Sequence, residues 1–303
     1  MIGISTSYCS HIYRQPQVIF KVLRDIGYEV FEIDFRWDEN MCAQLKEIVK
    51  EEKISIASLH NFCPIPEGVD LRLASPETYL LSSRDEEERK LAVKCTKRTI
   101  EFAHQLRAKA VILHCGKVFE KKLTSFLIKM YNSNQEGSRA YQNKLTELVA
   151  LRKKKAKRHF SNALRSLEEL DKFAKEKNIK LGIENRYYFG EIPQVEEIKE
   201  ILDTFDESSS IGYWHDVGHA QSLENIGFYK LEDYLTFFNR LIGIHLHDIK
   251  DCCDHLAPFE GEFNFERLIP FVGKESLKIV EAHQPASLKA IAEARIKLEK
   301  IFS

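Results

Sequence analysis

Short apolar runs recur along the chain with a regular beat. Ile2–Ser5, Val30–Phe35, Ser55–His60, Ala110–His114, Lys180–Glu184, Ser210–Asp216, Leu241–His247 and Lys278–Glu281 each predict a strand. Between them, apolar residues return at helical spacing in Val18–Ile26, Met41–Val49, Leu91–Leu106, Phe160–Lys177, Val195–Phe205, Leu231–Arg240, Phe265–Phe271 and Ala286–Phe302. Ser83-Arg84-Asp85-Glu86 predicts a capping box at the start of the third helix. Eight strands alternating with eight helices imply a parallel sheet, and eight such units imply a closed (β/α)8 TIM barrel of the α/β class. An open doubly wound sheet fits less well, because no Gly-rich phosphate fingerprint follows the first strand.

One spacing breaks the beat. Far more chain separates His114 from Lys180 than one helix needs. The excess, residues 117–158, carries twelve Lys and Arg against three Glu, a local charge of +9. It is read as a basic helical insertion after the fourth strand, within a single domain spanning 1–303. A solvated hairpin is the plain reading, and a lid or arm for an anionic substrate is the functional one.

Composition narrows the setting. The chain has 303 residues, 44% hydrophobic and 30% charged, enough to bury a large core. A net charge of -1 argues against bulk affinity for nucleic acid or membrane, and no apolar run is long enough to span a bilayer. Seven scattered cysteines without a C-x-x-C pair predict reduced thiols, and the first residues read as a strand rather than a secretory leader. A cytoplasmic protein is expected. The sequence assigns no oligomeric state.

The chemistry gathers where strands end, which in such a barrel is the face that carries active sites. Strand three ends in His60, strand four in His114, strand five in Glu184-Asn185-Arg186, strand six in His215-Asp216-Val217-Gly218-His219, strand seven in His245-Leu246-His247-Asp248 and strand eight in Glu281-Ala282-His283. Residues two apart share a strand face, so His245 and His247 point the same way. Six consecutive strands thus offer His, Glu or Asp to one mouth. Mixed imidazole and carboxylate donors suit zinc, manganese or cobalt better than calcium or magnesium. Glu184, Asp216, His245 and Glu281, on four successive strands, are predicted to meet at one cation. Two glutamates beside a metal also suit proton transfer. Arg186 could hold a substrate anion or a structural ion pair, and His247 could be a ligand or could orient a neighbour through its ring N–H. His215 is expected to point away from the mouth, and His283 to lie further along the wall than Glu281.

Taken with Ile2-Gly3-Ile4-Ser5, Gly27-Tyr28-Glu29-Val30-Phe31-Glu32, Arg89, Asp254-His255-Leu256 and Glu260-Gly261-Glu262-Phe263-Asn264-Phe265, these pieces resemble the xylose isomerase-like TIM barrel superfamily (the AP endonuclease 2 superfamily). Within it they resemble the sugar phosphate isomerase/epimerase group, nearly end to end. The resemblance implies that Glu184 and Glu281 bind metal and act as the acid/base pair. Asp216 and His245 complete the metal shell, and His219 meets substrate or a further metal. Endonuclease IV belongs to the same superfamily and binds three zinc ions. Its ligand positions fall on His60, His114, Glu184, Asp216, His219, His245, His255 and Glu281, while a further Asp falls on Cys253, with Asp251 and Asp254 close by. Two departures stand out. The family's Gly-Glu-Gly loop reads Phe259-Glu260-Gly261, and the basic insertion is foreign to small sugar epimerases.

The leading expectation is therefore a divalent-metal-dependent isomerase or epimerase of a sugar, sugar phosphate or related compound. The alternative is an endonuclease IV-like multi-zinc phosphodiesterase acting on DNA or a smaller nucleotide-like diester, with up to three ions. A non-catalytic barrel binding an anionic ligand ranks third. The expected substrate is small and sugar-like or anionic, with nucleic acid as the lesser case and no membrane.

Overall fold

The computed structural model describes residues 1–52 and 54–303. Eight parallel strands close into a barrel in chain order: Gly3–Ser5, Val30–Ile33, Ser55–His60, Ala110–Leu113, Lys180–Glu184, Ile211–Asp216, Leu241–Leu246 and Leu277–Val280. All eight predicted strands are present, with ends that differ by at most two residues. The register steps evenly enough to bring strand ends level. Glu184 pairs with Trp214, Asp216 with His245, and Ile279 with His245.

The barrel interior below the mouth is plugged by Trp214, fully buried with Ala57, Ala110, Ile112 and Ile279. Its indole fits because both flanking strands carry glycine. A Cβ on Gly243 would sit 2.3 Å from the ring, and one on Gly182 2.9 Å. Trp214 also meets the His245 ring edge-on at 5.1 Å, so the plug is the floor of the site. Gly243→Ala should overpack this floor and cost about 2 kcal/mol, read as a lower thermal midpoint. Wild-type stability would show that the ring has room to move.

Helix positions differ from expectation in three places. The third helix, Glu86–Gln105, starts two residues later than the predicted box places it. Asp85 is its N-cap, accepting from the Glu87 N–H at 2.9 Å, while Ser83 Oγ accepts from the Asp85 N–H. After strand six the main helix is Val217–Asn225, which the sequence reading passed over because its polar residues serve the mouth. The predicted Leu231–Arg240 shrinks to Leu231–Leu235 plus a 3-10 turn, and Phe265–Phe271 to a single 3-10 turn at Phe265–Leu268. Five to seven residues cannot complete enough turns to sustain an α-helix without strong packing.

The inserted segment folds as helix Lys122–Tyr131 followed by one uninterrupted helix, Arg139–Lys177. Residue 158 lies inside the latter. No Gly or Pro occurs between 139 and 177, and the helix stops only at Asn178, in the left-handed region at φ 55°. Its basic residues divide. Arg152 is buried against Glu197 and the Phe189 carbonyl, whereas Lys153, Lys154, Lys155, Lys157 and Arg158 face solvent. Lys121, at the root of the segment, reaches the barrel mouth. Among the described residues, no helix is long and apolar enough to cross a membrane.

Candidate metal centre

Four buried side chains lie at the bottom of the mouth. Ligand atoms of Glu184, Asp216, His245 and Glu281 all fall within 4.8 Å of one another. His245 Nδ1 is the hub, 2.8 Å from Glu184 Oε1, 2.9 Å from Glu281 Oε2 and 3.6 Å from Asp216 Oδ2. On its other side, Nε2–H donates to Glu32 at 3.1 Å, and Ser58 Oγ donates to the same carboxylate at 2.8 Å. Glu32, fully buried, therefore fixes which nitrogen faces the hub.

The electrostatics follow from this crowding. Burial would lower the His245 imidazolium, but the Glu281 and Glu32 charges and the bonds to Asp216 and Glu184 raise it well above the ordinary imidazole value. Burial would raise Glu184; the His114 charge and the bonds from His114, His245 and Arg186 outweigh it and hold the carboxyl well below the usual range. Asp216 is likewise held low, by His219, His247 and His245 against burial. Glu281 follows the same sign, through His245, His255 and His60. A cluster of ionised carboxylates around one imidazole nitrogen is chemistry that fits a divalent cation, which would replace the Nδ1 proton.

Asp216 has a second task that explains the spacing of Asp216-Val217-Gly218-His219. It is the N-cap of helix Val217–Asn225, accepting from the His219 N–H at 2.7 Å. Gly218 lies under His247, where a Cβ would come within 2.2 Å of the ring.

Three more imidazoles are aimed by their other nitrogen. His60 donates Nδ1–H to the Asn61 carbonyl (3.2 Å), His219 to the Asn185 carbonyl (3.0 Å) and His114 to Glu77 Oε1 (3.2 Å). His60 and His219 thus turn the Nε2 lone pair into the mouth, the arrangement typical of ligands, whereas His114 has a carboxylate at each ring nitrogen. His114 Nε2 lies 2.7 Å from Glu184 Oε2, and His60, His114 and Glu184 form a second cluster. His219, Asp254 and His255 form a third. Asp254, rather than Cys253, supplies the carboxylate there; Cys253 is exposed. His247 accepts the His255 N–H on Nδ1 (2.9 Å) and donates Nε2–H to Asp216 (2.9 Å), so it orients Asp216 instead of offering a lone pair. Arg186 is engaged with Glu184, Glu77 and Glu191 at 2.5, 3.2 and 3.4 Å. His215 packs away from the mouth with Nδ1 on the Tyr213 hydroxyl at 2.7 Å.

Glu77 at the mouth is missing from the sequence reading, which expects His283 to lie too far along the wall to take part. Glu77, from the long loop after strand three, ties His114, Arg186 and Lys121 together; no local pattern marks it. His283 faces the cavity beside His255, with ring centroids 4.0 Å apart. Its spacing from Glu281 was the available signal. The Phe259-Glu260-Gly261 turn forms with Phe259 itself at φ 74°, held by Asp248, which accepts the N–H groups of Ile249, Phe259 and Phe263. In front of the clusters lies a cavity of about 350 Å³, walled by Phe35, Tyr187 and Tyr188 and edged by Arg36 and Lys121. A larger surface cavity of about 810 Å³ opens at the opposite end of the barrel around Lys46, Ile56 and Arg107 and holds none of these clusters.

Residues 20–297 match the family described as "Xylose isomerase-like TIM barrel". The chain belongs to this family. It is 27% identical to an uncharacterized protein of Methanocaldococcus jannaschii over 187 residues, which are 61% of this chain and 53% of that protein, so the match spans about half the length of that relative. Among solved structures it is similar to D-psicose 3-epimerase of Clostridium cellulolyticum H10 with D-tagatose (12% identity, 100% and 99% of the two chains, TM-score 0.69). It is also similar to a 3-keto-D-glucoside 4-epimerase from E. coli (14%, 99% and 98%, TM-score 0.67). At these identities the likeness is one of fold.

Glu32→Gln tests the orientation of His245. Losing that partner should weaken cation binding about 10- to 100-fold, measured by competition with a chelating dye. Unchanged affinity would remove Glu32 from the centre.

Proposed function

We propose that this protein is a divalent-metal-dependent isomerase or epimerase of a sugar, sugar phosphate or related compound, with Glu184 and Glu281 as the proton-transfer pair. The observation that carries the reading is the convergence of Glu184, Asp216, His245 and Glu281 within 4.8 Å, under a cavity of small-molecule size. The donor set suits zinc, manganese or cobalt. When bound, the cation supplies stabilisation for negative charge developing on a substrate oxygen.

The chain's own residues supply the rest. Glu184 and Glu281 flank the hub and are kept ionised, so each can accept a proton from a carbon held against it. In epimerisation one carboxylate takes the proton from one face, and the other, after drawing a proton from solvent, returns it from the opposite face. In isomerisation a single carboxylate carries it between neighbouring carbons. Phe35, Tyr187 and Tyr188 exclude water, while Lys121 and Arg36 favour a substrate with an anionic group.

The test is solvent exchange. The cation-loaded protein, incubated in D2O with a panel of ketoses and ketose phosphates, should place deuterium on the carbon next to the carbonyl. No exchange with any of them, alongside cleavage of a bis(nitrophenyl) phosphate, would replace this reading by the second one.

That second reading is hydrolysis of a small nucleotide-like phosphodiester by several cations. It is favoured by two of the four further clusters around the hub, His60–His114–Glu184 and His219–Asp254–His255. Counting bound ions separates the readings: about one per chain for the isomerase, about three for the diesterase.

A further inference from the structure

We propose that Asn185 is the positioning residue of the centre. Its side chain fixes Asp216, its backbone carbonyl aims His219, and Tyr213 and His215, behind the barrel wall, hold its amide the right way round. The proposal rests on the reading that Asp216 and its neighbours at the mouth take a divalent cation.

The first observation is where Asn185 stands. Glu184 faces the hub, so the next residue along the chain faces the other way, between sheet and helices. The pairing of strands five and six ends at Glu184 and Trp214. Beyond that pair, the Asn185 amide takes the place of a backbone partner for Asp216. Its Oδ1 accepts from the Asp216 N–H at 2.7 Å, and its Nδ2 donates to the Asp216 carbonyl at 2.9 Å. Both residues are fully buried. With its N–H and its carbonyl both held, the Asp216 backbone has no freedom to turn the carboxylate away from the hub.

The second observation is the Asn185 carbonyl, which accepts from His219 Nδ1–H at 3.0 Å. One residue of strand five therefore orients two groups of strand six and the helix that follows it, Asp216 and His219.

The third concerns the amide itself. The oxygen and nitrogen of an asparagine side chain have nearly the same shape, so its partners decide which way it faces. The Tyr213 hydroxyl donates to Asn185 Oδ1 at 2.9 Å and lies 2.7 Å from His215 Nδ1. His215 is fully buried, and among the described residues its Nε2 has no hydrogen-bond partner. A buried N–H without an acceptor is rarer than a buried lone pair without a donor, so the proton belongs on Nδ1. Donation then runs one way, from His215 Nδ1–H to the Tyr213 oxygen and from the Tyr213 hydroxyl to Asn185 Oδ1. An inverted amide would set Nδ2 against the Asp216 N–H, donor to donor, and Oδ1 against the Asp216 carbonyl.

The experiment uses the full chain labelled with nitrogen-15 at histidine, first without metal. The ring-nitrogen shifts should show His215 and His219 both protonated on Nδ1. One equivalent of cobalt is then added. Asn185→Ala should bind it about 10- to 100-fold more weakly and change the shape of its visible spectrum, which reads ligand geometry. Tyr213→Phe should change that spectrum in the same direction and to a smaller extent, and it decides if Asn185→Ala fails to fold. Leu170→Ala, in the buried face of the long helix, should lower the thermal midpoint yet keep wild-type affinity and spectrum, which separates positioning from general loosening. The proposal is overturned by a wild-type His215 protonated on Nε2, or by variants at Asn185 and Tyr213 that bind cobalt as the wild type does. A wild-type chain that takes up no cobalt would refute the metal-dependent reading instead, while the metal-free histidine spectrum would still decide the direction of the donor chain through Asn185.

Discussion

Glu184→Gln is expected to abolish proton exchange and to loosen cation binding in the same stroke. Glu184 Oε1 faces the hub at His245, and Oε2 faces His114 and Arg186. An amide keeps the shape but removes the negative charge and turns one oxygen into an N–H donor aimed at a cationic neighbourhood. Loss of the base alone should cost about 10²- to 10⁴-fold in solvent exchange. Titration with cobalt should show weakened binding at both the hub and the His60–His114 side. If exchange and affinity stayed at wild-type levels, Glu184 would be neither base nor ligand.

A second large effect is expected on the metal-free protein as pH changes. His245 and His255 have folded-state values above the ordinary imidazole value, His255 at about 9, where burial is outweighed by the Asp254 charge and hydrogen bond and by Glu281. Groups raised on folding contribute stability below their unfolded pKa and lose it as pH rises through the folded one. His60, His215, His219 and His283 are pushed the other way by burial, His219 to about 4 and His215 to about 3. They contribute stability above their unfolded pKa and lose it as pH falls below it. The metal-free chain should therefore be most stable near the ordinary imidazole pKa, about 6.5, with a midpoint that drops on both sides. A cation takes over the role of the His245 proton, so saturating zinc or manganese should flatten the alkaline arm and, at about a thousandfold above its Kd, add about 4 kcal/mol. Thermal melts from pH 5 to 9, with and without metal, measure both. An alkaline arm identical in the two series would mean that no cation enters the cluster.

The barrel was legible in the sequence because the strands are short, apolar and bounded by residues that must face the mouth. Glu184, Asp216, His245 and Glu281 sit at equivalent ends of neighbouring strands, and a parallel register leaves them few places to go. What the sequence hid depends on contacts distant along the chain. Glu77 enters from a loop whose path is set only by the folded barrel. The division between lone-pair donors and orienting histidines rests on which nitrogen meets which partner, as with His247 between Asp216 and the His255 N–H. The basic insertion shows the same limit. Twelve positive charges look like one feature, yet only Lys121 lines the mouth, Arg152 is consumed in a buried pair, and the run from Lys153 to Arg158 faces solvent.

The most direct measurement is an anomalous difference map from crystals grown with manganese, cobalt or zinc, recorded at the absorption edge of the added metal. The account predicts a peak in contact, at about 2.0–2.3 Å, with Glu184, Asp216, Glu281 and Nδ1 of His245 together. A map with no peak there, or with metal bound only elsewhere on the chain, would contradict it.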